Sequence, residues 1–100
     1  MMDFRALQRK VYQNKVDHGF NLTDINMEFC YAYGEMGEAY SAWLKRQDDV
    51  GEELADVIIF LMGIAEILDI DLEQEIKNKI KKNAKRKYKI IDGVPLREGD

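Results

Sequence analysis

The sequence predicts an all-α fold: a four-helix bundle completed by oligomerisation, with a short C-terminal tail or hairpin. Three observations predict it. One proline and seven glycines interrupt 100 residues, of which 46% are apolar. Apolar side chains recur at intervals of three and four through four segments. Three of those segments open on an Asp or Thr suited to cap a helix.

The first helix is expected from about Asp3 to Val16, with Phe4, Leu7, Val11 and Tyr12 as its apolar stripe. "DHGFN" ends it at Gly19. Thr23 or Asp24 caps the second, which runs to about Arg46. Its large residues Phe29, Tyr33, Met36, Tyr40 and Trp43 fall on one stripe, expected to point inward. Asp49 followed by Glu52 resembles a capping box and opens the third helix, which continues to about Leu68. Its centre, "VIIFLMGIA", is apolar on every face, more than a chain of this length can wrap. A subunit interface is therefore expected there, in a homodimer or homotetramer. Asp71, with Gln74 in the reciprocal position, opens the fourth helix, expected to end near Tyr88. Residues 1–88 form one domain, and 89–100 are a tail in which Asp92-Gly93 signals a turn.

Charge narrows the function classes. The net charge of −4 argues against a general nucleic-acid binder. Gln47 to Ile76 holds ten acids and no Lys, Arg or His, whereas Lys77 to Lys89 holds eight basic residues and no acid. One segment suits cations and the next suits anions. The single cysteine, Cys30, cannot form an internal disulfide, and is expected to pack between helices. No leader and no apolar run long enough for a bilayer is visible, so a soluble cytoplasmic protein is the expectation.

The chemistry resides in two acid pairs, Glu35/Glu38 and Glu53/Asp56. Residues three apart share a helix face, and an acid on a helix commonly has a basic neighbour at that spacing. None of these four has one. The turn near Gln47 folds the second and third helices antiparallel, bringing both pairs to about the same level. A single acid pair is commonly a solvated face. Two converging pairs without counter-ions would repel unless a cation sat among them. Oxygen ligands alone favour Mg²⁺, Mn²⁺ or Ca²⁺ over zinc. On the fourth helix, Asn83 falls within the stripe of Ile76 and Ile80, flanked by Lys79 and Arg86. That is a candidate anion site, or alternatively two cations snorkelling at the edge of the core.

These residues resemble the MazG-like family of all-α nucleoside triphosphate pyrophosphohydrolases. Its pattern, E-x-x-E, a spacer, E-x-x-D and then a K-x-x-x-N helix with a nearby Arg, reads here as Glu35/Glu38, Glu53/Asp56, Lys79/Asn83 and Arg86. Asp69 stands where many relatives have Gly. The resemblance implies Mg²⁺-dependent (alternatively Mn²⁺-dependent) hydrolysis of an NTP or dNTP to the monophosphate and pyrophosphate. It implies that Glu35, Glu38, Glu53 and Asp56 are metal ligands and catalytic residues, and that Lys79, Asn83 and Arg86 are substrate-binding. Which carboxylate serves as base, and which nucleobase is taken, stay open. The alternatives are a phosphoribosyl-ATP pyrophosphohydrolase and a non-catalytic helical oligomerisation module.

Overall fold

A computed structural model describes residues 2–98. Four helices run in sequence order: α1 (Phe4–His18), α2 (Ile25–Leu44), α3 (Val50–Ile67) and α4 (Leu72–Lys85). They are followed by a two-stranded antiparallel hairpin, β1 (Lys87–Ile91) and β2 (Val94–Glu98). The turn signal is realised: Asp92 and Gly93 both have positive φ, 52° and 75°, as a two-residue primed turn requires. The hairpin begins two residues earlier than the expected tail, and α4 ends at Lys85 rather than near Tyr88. Among the described residues, no helix is long and apolar enough to cross a membrane.

Local chemistry sets the helix ends. The carboxylates of Asp3, Asp24 and Asp71 accept from Ala6 N, Met27 N and Gln74 N respectively. Asp49 is the N-terminal cap residue of α3, but its side chain makes no capping hydrogen bond, so the expected box with Glu52 does not form. α1, α2 and α3 close in the same way, with a left-handed residue after the last turn and a bond reaching five residues back. These bonds are Phe20 N to Lys15 O, Gln47 N to Ala42 O and Ile70 N to Ala65 O. The left-handed residues are Gly19, Arg46 and Asp69. At Arg46 a Cβ in that conformation costs roughly 1–2 kcal/mol. Glycine would relieve this but loses about 0.4–1 kcal/mol through its freer unfolded state. Arg46→Gly is therefore expected to raise stability by up to about 1 kcal/mol in urea unfolding, with no loss of helix content.

α3 is the hub. It packs against α2 along most of its length and is crossed by α1. At the crossing, a Cβ added to Gly63 would lie 3.4 Å from Lys15 Cδ and 3.6 Å from Val11 Cγ1. The absent side chain is what lets α1 approach. α4 is held chiefly by α1: Arg5 pairs with Asp71 at 2.7 Å, and Phe4 N donates to Glu73 Oε1 at 3.2 Å. Gln8, fully buried, donates to Glu66 Oε2 and to Ile70 O, tying α1 to the end of α3.

The inward face of α2 differs from the one its large residues suggested. Ala32, Ala39 and Ala42 are buried, whereas Tyr33, Met36, Tyr40 and Trp43 are 78%, 54%, 61% and 62% exposed. Both stripes have helical spacing. The alanine face wins because small side chains let α2 lie close along α3, and the bulky stripe is left on the outside. Cys30, expected between helices, is also exposed. α3 is buried at Val57 and all round at Met62, Gly63, Ile64 and Ala65, but Leu54, Ile58, Ile59 and Leu61, nearer its start, are half exposed.

The chain is extended for its size. Its radius of gyration is 16.9 Å, against about 13 Å for a compact 100-residue domain. Its accessible surface is 7938 Å², whereas a folded monomer of this mass exposes about 5,900 Å².

Candidate metal and nucleotide site

The alanine face of α2 carries the acids. Glu35 lies between Ala32 and Ala39 on the α3-facing side, with Glu38 three residues further along. α3 presents Glu53 and Asp56 from its first two turns. Glu35, Glu38 and Glu53 can each place a carboxylate oxygen within 4.8 Å of the other two. Asp56 stands beside this trio, and its charge acts on both Glu35 and Glu53. The helices thus bring the two sequence pairs to one place, three acids tightly and the fourth at the margin.

The electrostatics follow from crowding. Partial burial raises the Glu35 pKa above its ordinary 4.5, followed by the charge of Glu38, a hydrogen bond with Glu38, and the charges of Asp56 and Glu53. Partial burial also raises that of Glu53, followed by the charges of Asp49, Glu38, Asp56 and Glu52. The principal charges acting on the pair are negative. One Glu53 oxygen, Oε2, is buried with no hydrogen-bond partner among the described residues. An orphaned carboxylate oxygen beside two more carboxylates, with no His or Cys among them, suits a hard divalent cation. Glu35, Glu38, Glu53 and Asp56 could hold such an ion.

The α4 residues are placed differently. No residue of α4 is buried, and Asn83, expected within an apolar stripe, is exposed. Its side chain makes no hydrogen bond among the described residues, although its carbonyl accepts from Arg86 N at 3.2 Å. Lys79 is also exposed. Arg86, the C-terminal cap residue of α4, is half buried, and its Nε has no partner among the described residues. Because α4 leans mainly on α1, these three residues stand apart from the α2–α3 packing that assembles the acids.

One feature of the neighbourhood escaped the sequence reading. Lys15 of α1 and Glu28 of α2 form a buried ion pair, their side chains 10% and 1% exposed. Glu28 lies seven residues before Glu35, so the same face of α2 carries it about 10 Å, or two turns, away. Following the acid face back two turns from Glu35 would have found Glu28. Its partner across the "DHGFN" break is thirteen residues distant and has no periodic signal.

A family model described as MazG-like matches residues 27–97, a span that begins in the first turn of α2 and ends in β2. Comparison with curated proteins and with solved structures finds no match. The matched span holds both acid pairs and all of α4, and covers most of the chain. The chain belongs to the MazG-like family, whose superfamily is of the nucleotide pyrophosphohydrolase type.

Proposed function

We propose that the protein is a divalent-metal-dependent nucleoside triphosphate pyrophosphohydrolase, converting an NTP or dNTP and water to the monophosphate and pyrophosphate. The observation that carries this reading is the convergence of Glu35, Glu38 and Glu53 within 4.8 Å, together with the orphaned Glu53 Oε2.

Glu35, Glu38, Glu53 and Asp56 are the residues that would hold Mg²⁺ or Mn²⁺. When bound, the ion supplies positive charge to the phosphate oxygens and acidifies a water molecule. A carboxylate of the cluster left free of the ion would take the proton of the water that attacks the α-phosphorus, pyrophosphate leaving. Burial and the neighbouring acids raise the pKa of Glu35 and of Glu53, which suits either to accept a proton when it is not holding the ion. Lys79 and Arg86 balance the charge of the triphosphate, and Asn83 orients one of its oxygens. Since α4 stands apart from the acids within one chain, the α4 of a second copy supplies these three, and the working unit is a homo-oligomer.

The test is a panel of common NTPs and dNTPs with Mg²⁺, scored for pyrophosphate. Release from at least one, abolished by chelation, is expected. Release from none would end the reading. The anion half has its own test. Lys79→Ala and Arg86→Ala should reduce kcat/KM by about 10²-fold, and Lys81→Ala and Lys85→Ala far less. Equal losses in all four would mean diffuse charge rather than a binding site.

The acids also set a pH dependence. A carboxyl whose folded pKa is raised binds its proton more tightly in the native state. The contribution of Glu35 and Glu53 is therefore full below pH 4.5 and is lost as pH rises from there through their raised values. A cation binds the deprotonated cluster. Mg²⁺ should thus raise the melting temperature little below pH 4.5 and most above that window. A Mg²⁺-induced shift that does not depend on pH would separate the cation from these carboxylates.

A further inference from the structure

Beside the Lys15–Glu28 pair is a cavity of about 300 Å³ lined by Lys15, Phe20, Asn21, Glu28, Tyr31 and Phe60. It opens into a longer apolar groove between α1 and α3. Tyr31 is one helical turn from Glu35, and Phe60 one turn from Asp56, so the cavity begins where the acid cluster ends. The rings of Tyr31 and Phe60 meet edge to face with centroids 6.1 Å apart, and Phe20, 53% exposed, stands at the mouth. Flat walls and this volume suit one planar heterocycle.

The polar end of the cavity has spare bonding capacity. Among the described residues, the ammonium of Lys15 spends one of its three N–H bonds, on Glu28 Oε1. Glu28 accepts once at each oxygen, from Lys15 and from Asn21 Nδ2, leaving a lone pair on both. Asn21 is itself locked by bonds from Thr23 N and Asp24 N and to Asp24 O, so it fixes the carboxylate's orientation. An ion pair serving only to join α1 to α2 would not need to line a cavity with unused donors and acceptors. Neither group is orphaned, and each keeps bonding capacity that a ligand can use.

We propose that this cavity holds a nucleobase and that its edge selects guanine. The two oxygens of Glu28 accept from the guanine N1–H and its 2-amino group, and Lys15 donates to O6. Adenine, cytosine and uracil each offer one N–H edge donor to the carboxylate instead of two. The inference rests on the pyrophosphohydrolase reading for what the base is attached to. The two turns from Glu28 to Glu35 leave room for a sugar between the base and the α-phosphate.

Free nucleosides test it, because they need neither metal nor phosphate site. In NMR titrations of the full chain, guanosine is expected to bind about tenfold or more tightly than adenosine, cytidine or uridine. Inosine, which lacks the 2-amino group, should lose about tenfold against guanosine, the effect of one bond to a charged group. Guanosine binding no better than the others, or no nucleoside binding at all, overturns the proposal on the wild-type protein alone. The double variant Lys15→Met/Glu28→Met replaces the pair with neutral side chains of similar size and should bring the guanosine ratio to near unity. Glu28→Gln, which exchanges an acceptor for a donor, should remove the advantage of guanosine over inosine. A guanosine preference that persists in either folded variant also overturns the assignment. Nucleotide hydrolysis without base preference would defeat this inference alone. Guanosine selection without any hydrolysis would defeat the enzymatic reading alone.

Discussion

Glu38→Ala and Glu53→Gln are expected to lose more than about 100-fold in kcat/KM while keeping their helices and melting, without metal, at or above the wild-type temperature. The rate follows from the ligand role. Removing a residue that merely supports a metal ligand costs about 10–100-fold, and a direct ligand costs more. The stability follows from crowding. Both Glu35 and Glu53 are pushed up partly by the charge of Glu38, so removing an acid relieves repulsion in the metal-free protein. The two effects have opposite signs, which a merely structural role would not produce. Pyrophosphate release, far-UV circular dichroism and thermal melting with and without Mg²⁺ measure all three quantities. Full activity in either variant would exclude the cluster as the metal site. A large drop in metal-free melting temperature would mean that the acids hold the fold rather than an ion.

The second large effect concerns assembly. The wild-type chain is expected to be at least a homodimer at micromolar concentration, and Trp43→Glu or Ile59→Asp to dissociate or unfold it. The chain exposes 7938 Å², about 2,000 Å² more than a folded monomer of its mass. A standard interface takes about 800 Å² from each partner, and obligate ones take more. Part of the exposed surface is apolar side chains on the two central helices: Tyr33, Met36, Tyr40 and Trp43 on α2, and Leu54, Ile58, Ile59 and Leu61 on α3. Tyr40 and Trp43 already stack, with ring centroids 6.1 Å apart. Burying such a side chain contributes about 1.5–3 kcal/mol, so leaving eight wet would rival the whole stability of a small domain. A two-fold axis lets one copy cover the matching stripe of the other. Light scattering decides the matter, and a stable, active wild-type monomer would exclude the proposal. Activity lost together with the dimer is expected if α4 works across the interface.

Four helices, their approximate limits and the turn at Asp92-Gly93 were legible from the chain alone, because caps, breaks and apolar periods act within a few residues of one another. The acid pairs were legible for the same reason: a spacing of three fixes a shared face, and a short turn fixes antiparallel neighbours. Three things were decided only in the folded molecule. Which stripe of α2 turns inward depended on how closely α3 approaches, and alanines permit a closer approach than Tyr40 or Trp43. The surroundings of Asn83 depended on where α4 docks, and it docks against α1 through Arg5–Asp71 rather than burying its apolar stripe. The Lys15–Glu28 pair joins residues thirteen apart on two helices, brought together by the Gly19 turn and by the missing side chain at Gly63. Local sequence encodes what neighbouring residues do to one another. Side chains that meet across helices are determined by packing, a property of the whole chain that no short window contains.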